Sequence, residues 1–134
     1  GMHNHVIELE GVEGGYHGLT HHGNRPDRLK QLEIIETFYI SQMSRFMGKL
    51  KNGNLLDDTM IVFGSGLGDA SRHSNRDLPM LLAGGGFKHA GHLNCAKPDG
   101  SQLPLNNLYT TMLQQFGVEI DRFNNATGNM NQLV

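Results

Sequence analysis

Three of the eight histidines in this chain of 134 residues fall within one stretch of six, His17-Gly18-Leu19-Thr20-His21-His22. Neutral imidazole nitrogens bind divalent metal ions and exchange protons near neutral pH. Glycines flank the stretch at Gly14, Gly15 and Gly23, which favours a loop. This histidine motif therefore predicts a metal site or a proton relay. The alternative is a polar turn whose rings bond to backbone carbonyl groups.

A second set of polar side chains lies in the segment between Gly64 and Asp77. Its members are Asp69, Ser71, Arg72, His73 and Asp77. With His17, His21 and His22, the side chains of Asp69 and His73 could complete a ligand set for zinc, manganese or iron. Arg72 is a candidate anion clamp, because a guanidinium presents a fork to tetrahedral oxyanions. The alternative is a loop whose Asp and Ser side chains bond to its own backbone, with Arg72 and Asp77 paired at the surface.

The element that follows the histidine motif is a long helix, predicted over residues 24–51. Apolar residues recur there at steps of three and four, which makes one apolar stripe. Pro26 suits the first helical turn, and Gly53 follows a basic last turn as a stop signal.

Two short apolar runs, residues 58–64 and 78–84, predict buried strands that each end in glycine. A polar loop of about 14 residues joins them, which is long enough to suggest a functional role. A second helix is predicted over residues 103–116, a hairpin or edge strand over 87–93, and a loop-like tail from Val118. The pattern predicts an α/β fold in one domain, 1–134, with a small parallel or mixed sheet flanked by the helices. Ligands of such sheets sit beyond the carboxyl ends of the strands, where the polar loop begins.

Composition excludes several classes of function. The formal charge of −2 and the pI near 6.5 give no electrostatic footprint for nucleic acid. No apolar run approaches the ~20 residues of a membrane span. Cys95 is the single cysteine, so an intrachain disulfide is impossible.

Further short motifs extend the pattern of the histidine motif along the chain. They include Gly23-Asn24-Arg25-Pro26, Gly64-Ser65-Gly66-Leu67-Gly68-Asp69, Arg72-His73, Asp77-Leu78-Pro79 and the ending Asp121-Arg122-Phe123-Asn124-Asn125-Ala126-Thr127-Gly128. With these motifs the chain resembles the HXXSHH family, secreted bacterial proteins of unknown function, over most of residues 14–134. Thr20 stands where that family usually has Ser. The resemblance implies an exported protein, periplasmic or extracellular, of which this chain is the C-terminal part. Gly1 before Met2 is then expected to be a tag remnant.

The HXXSHH family looks related to the alkaline phosphatase and sulfatase superfamily, in which two metal ions activate a Ser or Thr nucleophile. The resemblance implies that the fold is the C-terminal portion of an alkaline-phosphatase-like domain. An upstream ligand pair of those enzymes falls on His17 and His21. Their Asp-His metal pair falls on Gly66 and Leu67, which cannot bind a metal, and a further metal histidine is replaced by Leu78.

Two functions follow as expectations from different classes. The first is half of a metal-dependent hydrolase site for phosphate or sulfate esters, completed by an N-terminal part outside this chain. Its metal candidates are His17, His21, His22, Asp69 and His73. The second is a non-catalytic domain of the same fold that uses the histidine motif structurally or for binding a partner. Because a partial domain exposes apolar surface, we also expect self-association as a symmetric dimer.

Overall fold

The computed structural model describes residues 8–88 and 91–133, and within them it is mixed α/β. Three helices, one pair of strands and a short 3₁₀ turn make up the regular structure of these two ranges. Their bounds are α1 Tyr16–Thr20, α2 Pro26–Asn52, β1 Met60–Gly64, β2 Met80–Gly84, α3 Leu105–Gln115 and the 3₁₀ turn Asn131–Leu133. The predicted α/β class is confirmed. None of the described helices is long and apolar enough to span a membrane.

The chain divides into two compact units. The first comprises residues 1–53 and 65–78, and the second comprises residues 54–64 and 79–134. The histidine motif and the polar loop both belong to the first unit, while the strands, α3 and the tail belong to the second.

The core of the first unit forms where α1 packs on the N-terminal half of α2. Leu19, Leu32 and Ile35 are buried there, and Ile35 is fully inaccessible to solvent. Leu9, Val12, Tyr16 and Tyr39 pack around these three. Leu32, Ile35 and Tyr39 repeat at steps of three and four, so they share one face of α2. The apolar stripe predicted from the sequence therefore places the helix against the histidine motif.

The predicted bounds of α2 are confirmed to within two residues. Pro26 occupies the first turn, where its missing N–H costs no hydrogen bond, and Asp27 lies at the positive end of the helix dipole. At the other end, the Gly53 N–H donates to the carbonyl of Lys49 at 3.0 Å. Lys49 and Lys51 lie in the last turn, where their positive charges interact favourably with the negative end of the helix dipole.

The two strands of the second unit pair antiparallel, whereas the sequence predicted a parallel or mixed sheet. Met60 pairs with Gly84, Val62 with Leu82 and Gly64 with Met80. A parallel pair needs a crossover connection that usually contains a helix, and the segment between β1 and β2 contains none. Successive strands without a crossover helix usually return alongside each other in the antiparallel sense.

The chain leaves β2 through three successive glycines in the left-handed region, Gly84, Gly85 and Gly86, with φ of 67°, 66° and 69°. A Cβ on Gly84 would overlap the carbonyl oxygens of Leu56 and Thr59, and one on Gly85 would overlap Met60. This triplet is therefore a tight strand exit that only glycine can form without strain.

The C-terminal tail is held to α3 by buried polar side chains. Thr111 Oγ1 accepts a hydrogen bond from the Met130 N–H at 2.7 Å, and Thr110 Oγ1 accepts one from the Phe123 N–H at 3.1 Å. Asn107 Oδ1 accepts one from the Thr127 N–H at 2.9 Å. Asn107, Thr110 and Thr111 are at most 3% exposed. These bonds order a tail that has almost no regular structure of its own.

An apolar core of the second unit lies beside this polar face. Phe87, Leu108, Met130 and Leu133 are buried together, and Met60, Leu82 and Cys95 are among the residues that pack around them. The helix predicted over 103–116 is confirmed as α3. The strand predicted over 87–93 is absent from its described residues, 87–88 and 91–93, and His89 and Ala90 lie outside the described residues.

Candidate functional site

The histidine motif is partly helical instead of forming the predicted loop. His17 lies in α1, and His21 follows the last residue of that helix. Residues four apart on a helix are neighbours on its surface. The two rings accordingly meet edge to face, with centroids 4.9 Å apart and planes at 80°. Thr20 Oγ1 donates to the His17 carbonyl at 2.8 Å, which strengthens the same turn.

A tight turn leads from the motif into α2. The Arg25 N–H donates to the His22 carbonyl at 2.9 Å, and the two central residues, Gly23 and Asn24, have φ of 54° and 60°. Two left-handed central residues are typical of a type I′ turn. His22 Nδ1 accepts a hydrogen bond from the Asn24 N–H at 3.0 Å. The ring of His22 is therefore held by the backbone of this turn.

His73 lies in a reversal of the polar loop that we call the His73 turn, Gly68–Ser74. Asp69 and Ser74 form an isolated antiparallel bridge, and the Ser74 N–H donates to the Asp69 carbonyl at 2.9 Å. His73 itself has a φ of 51°, which non-glycine residues seldom adopt. The turn thus places Ser71, Arg72 and His73 at its tip.

The tip of the His73 turn meets the histidine motif. The ring of His73 lies edge to face against that of His21, with centroids 4.8 Å apart and planes at 80°. Beside it, Ser71 Oγ accepts a hydrogen bond from the Gly23 N–H at 3.1 Å. The two segments that the sequence singled out for chemistry are thus brought together. We call the three stacked residues His17, His21 and His73 the histidine cluster.

The other two predicted metal candidates and the predicted anion clamp have local partners. Asp69 Oδ1 accepts a hydrogen bond from the Arg72 N–H at 3.1 Å, and Asp69 Oδ2 lies 3.4 Å from Arg72 Nε. This pair stabilises the His73 turn, as the alternative of a self-bonded loop expected, but the ion pair of Arg72 is with Asp69, whereas that alternative paired it with Asp77. The Arg72 side chain remains 79% exposed, so its guanidinium is accessible to an anion. His22 lies next to the cluster in sequence but bonds to its own turn.

Two ring separations in the histidine cluster, His17–His21 and His21–His73, can be compared with those of rings that share a metal ion. Zinc binds imidazole nitrogen at roughly 2.0–2.1 Å with tetrahedral angles, which places the centroids of two ligand rings about 5 Å apart. The two ring contacts have centroid separations of 4.9 Å and 4.8 Å. Within residues 8–88 and 91–133, however, no group of three or more His, Cys, Asp or Glu side chains is placed so that it could hold a metal ion. The rings pack edge to face and do not share a ligating arrangement.

Tyr16 supports the cluster from the buried side of α1. Burial, and next the negative charge of Glu36, raise the pKa of the Tyr16 hydroxyl above its ordinary value. Its ring meets that of Tyr39 edge to face at a centroid distance of 5.9 Å. Because Tyr16 is adjacent to His17, this packing fixes the helix turn that presents the cluster.

Two further residues position the cluster: Arg28, which the sequence did not single out, and Ser71, which it named among the polar side chains of the loop without a role. Arg28 Nη1 donates to the His21 carbonyl at 2.7 Å, which caps the end of α1, and Ser71 bonds to Gly23. Neither has a distinctive local pattern, because each acts on a residue that is distant or in another element. Gly66 and Leu67 lie in the polar loop, where Leu67 donates its N–H to Ser65 Oγ at 3.2 Å.

Comparison of the chain with protein-family models, with curated proteins and with solved structures finds no match.

Proposed function

We propose that the histidine cluster is a divalent metal centre and that the chain contributes it to a hydrolase site for phosphate or sulfate esters. The observation that carries this proposal is the contact between His21 and His73, with ring centroids 4.8 Å apart. It gathers three imidazoles from two separate segments, both of which were singled out by residue chemistry alone. The fold proposed for the whole domain is alkaline-phosphatase-like, on the motif resemblance described above.

The donor set is chemically suited to zinc, which imidazole nitrogens bind well. His17 and His73 are exposed and His21 is half-buried, so an ion could reach the rings from solvent. Binding requires the rings to rotate from their stacked arrangement. A bound metal of this kind polarises a phosphoryl or sulfuryl oxygen and lowers the pKa of bound water.

The chain's own residues would support such a site in distinct ways. Arg28 and Thr20 hold the carbonyl groups of His21 and His17, which fixes the backbone of the ligand-bearing turn. Arg72 lies at the tip of the His73 turn, one residue from the cluster, with an accessible guanidinium. It would bind an oxyanion of the substrate, with Asp69 holding its backbone in place. The hydroxyl nucleophile is proposed to come from a segment outside this chain.

A second candidate is a non-catalytic domain in which the same cluster serves only to join the two segments. The observation that favours it is that His22, Asp69 and Ser71 each bond to the backbone of a turn. Gly66 and Leu67, at the positions of expected metal ligands, favour it as well.

Replacement of histidine by phenylalanine separates the two candidates, because Phe keeps an aromatic ring but has no ligating nitrogen. We would measure metal content by plasma mass spectrometry and zinc affinity by calorimetry for the tag-free protein, His21→Phe and His73→Phe. His92→Phe, an exposed histidine remote in sequence from both segments, is the matched control.

A metal centre predicts near-stoichiometric metal in the wild type and in His92→Phe, and its loss in both cluster variants. No metal in the wild type, with unchanged thermal stability of His21→Phe and His73→Phe, would contradict the metal centre and favour the joining role. Hydrolysis of p-nitrophenyl phosphate and p-nitrophenyl sulfate by the longer protein that the resemblance implies would then test the ester substrate class.

A further inference from the structure

We infer that Ser71 is a positioning residue, whose hydroxyl holds the His73 turn against the histidine motif and sets the separation of His73 from His21. Its Oγ accepts a hydrogen bond from the Gly23 N–H at 3.1 Å. Ser71 lies two residues before His73, and Gly23 lies two residues after His21. The bond therefore joins the two segments directly beside the ring contact. The part of this inference that concerns metal affinity rests on the proposed function.

The turn that follows the histidine motif leaves the Gly23 N–H available as the donor of this bond. In the turn His22–Arg25, the internal hydrogen bond uses the His22 carbonyl and the Arg25 N–H. The Gly23 N–H takes no part in that internal bond and instead donates to Ser71 Oγ.

The side chain of Ser71 bonds to a residue far away in the sequence, unlike those of Ser65 and Ser74 in the same loop. Ser65 Oγ accepts from the Leu67 N–H and Ser74 Oγ accepts from the Arg76 N–H, each only two residues along the chain. These local bonds stabilise the conformation of the loop but do not fix its position relative to the histidine motif. The bond of Ser71 spans from the loop to the histidine motif and restrains where the tip of the turn lies.

The conformation of His73 is consistent with such a restraint. At φ 51° the residue occupies a region that non-glycine residues seldom adopt, so contacts beyond its own backbone help to hold it there. The Ser71–Gly23 bond lies at the surface, and its loss leaves the buried core of the unit intact. Removal of the hydroxyl is therefore expected to change the site without unfolding the protein.

The test compares Ser71→Ala with Ser71→Thr, which restores a hydroxyl, and with Ser74→Ala, which removes a local bond in the same turn. Zinc affinity is measured by calorimetry, and the imidazole nitrogens of His21 and His73 are followed by long-range ¹H–¹⁵N correlation spectra. Groups that orient metal ligands typically contribute 10–100-fold to affinity, so we expect Ser71→Ala to bind zinc at least about tenfold more weakly. We expect Ser71→Thr and Ser74→Ala to stay near the wild type, and all melting temperatures to be unchanged.

Two failures are distinguishable. If the wild type binds no zinc, the proposed metal centre is wrong, and the positioning role is decided by the spectra of the metal-free protein. There, Ser71→Ala should shift the imidazole signals of His21 and His73, whereas Ser74→Ala should not. Unchanged imidazole signals in Ser71→Ala, or equal zinc affinity in a wild type that binds zinc, would overturn the inference.

Discussion

The imidazole of His73 lies edge to face against that of His21, at a centroid distance of 4.8 Å, although the long helix α2 separates the two residues in sequence. The contact forms because α1 ends at the histidine motif and the polar loop reverses at the His73 turn. A site of this kind depends on the backbone geometry of both segments. The position of His73 should therefore depend on the backbone of the His73 turn.

Gly68→Ala is expected to disrupt the His73 turn, whereas Gly66→Ala in the same loop is expected to be neutral. A Cβ on Gly68 would overlap the Arg76 carbonyl, but one on Gly66 meets nothing within 4 Å. The Gly68 N–H also donates to the Ser74 carbonyl at 2.9 Å, a bond that closes the turn. The measurement is the imidazole signal of His73 by NMR, supplemented by metal content. Equal spectra for the two variants would contradict this account of the turn.

Thr111→Val should lower the free energy of unfolding by about 1–3 kcal/mol, the usual cost of leaving a buried polar group without its partner. Thr111 is 1% exposed, and its hydroxyl accepts from the Met130 N–H at 2.7 Å. Valine has nearly the same shape, so the change removes the bond with little loss of packing. Urea denaturation measures the effect, with Thr37→Val on the exposed surface of α2 as the control. A loss no larger than that of the control would show that the Thr111–Met130 bond does not stabilise the attachment of the tail.

The stability of the first unit should fall in alkaline solution because of Tyr16. Its pKa is raised in the folded state, chiefly by burial and next by Glu36, so the unfolded chain loses the phenolic proton first as the pH rises. The corresponding stabilisation is complete below about pH 10, the ordinary tyrosine pKa, and is lost as the pH rises through the folded-state value. The free energy of unfolding, measured between neutral pH and pH 11, should therefore fall less steeply with pH for Tyr16→Phe than for the wild type. Parallel curves would contradict the contribution of Tyr16.

Self-association through apolar surface remains a prediction. In the second unit, Phe116 is 76% exposed and Leu81 on β2 is 48% exposed. Within the described residues each strand pairs only with the other, and unpaired strand edges and exposed aromatic rings favour association. Light scattering should give a dimer mass, and Phe116→Ser should shift the distribution towards monomer. A monodisperse monomer at high protein concentration would rule the dimer out.

Local patterns account for the parts of the fold that the sequence predicted well. The stripe of α2, the apolar faces of α3 and the two strands each depend on residues close together in the chain. Short-range periodicity, the start signal at Pro26 and the stop signal at Gly53 are therefore sufficient to locate α2, and periodicity alone locates the others. The short helix α1 was missed, because glycines around a five-residue segment favour a loop and its helical form depends on Leu19 packing against Leu32 and Ile35.

The sequence grouped the histidine motif with the polar loop in one site, and the structure brings only part of that set together. His17, His21 and His73 were singled out because imidazoles suit metal chemistry, and the structure stacks them. The local roles of His22 and Asp69 could not be predicted, since each depends on a turn that the sequence pattern does not specify. The same reason applies to Ser71, whose partner is the Gly23 N–H of another segment.

The sequence by itself determined the α/β class, the helices α2 and α3, the strands and the residue types available for chemistry, because these follow from composition and short-range period. Only the tertiary structure decided the antiparallel pairing of β1 with β2, the attachment of the tail to Thr111 and the meeting of His21 with His73. Each of these is a contact between segments distant in the chain. Such contacts depend on where whole elements pack and on which backbone groups the turns leave free, and a linear pattern does not record either.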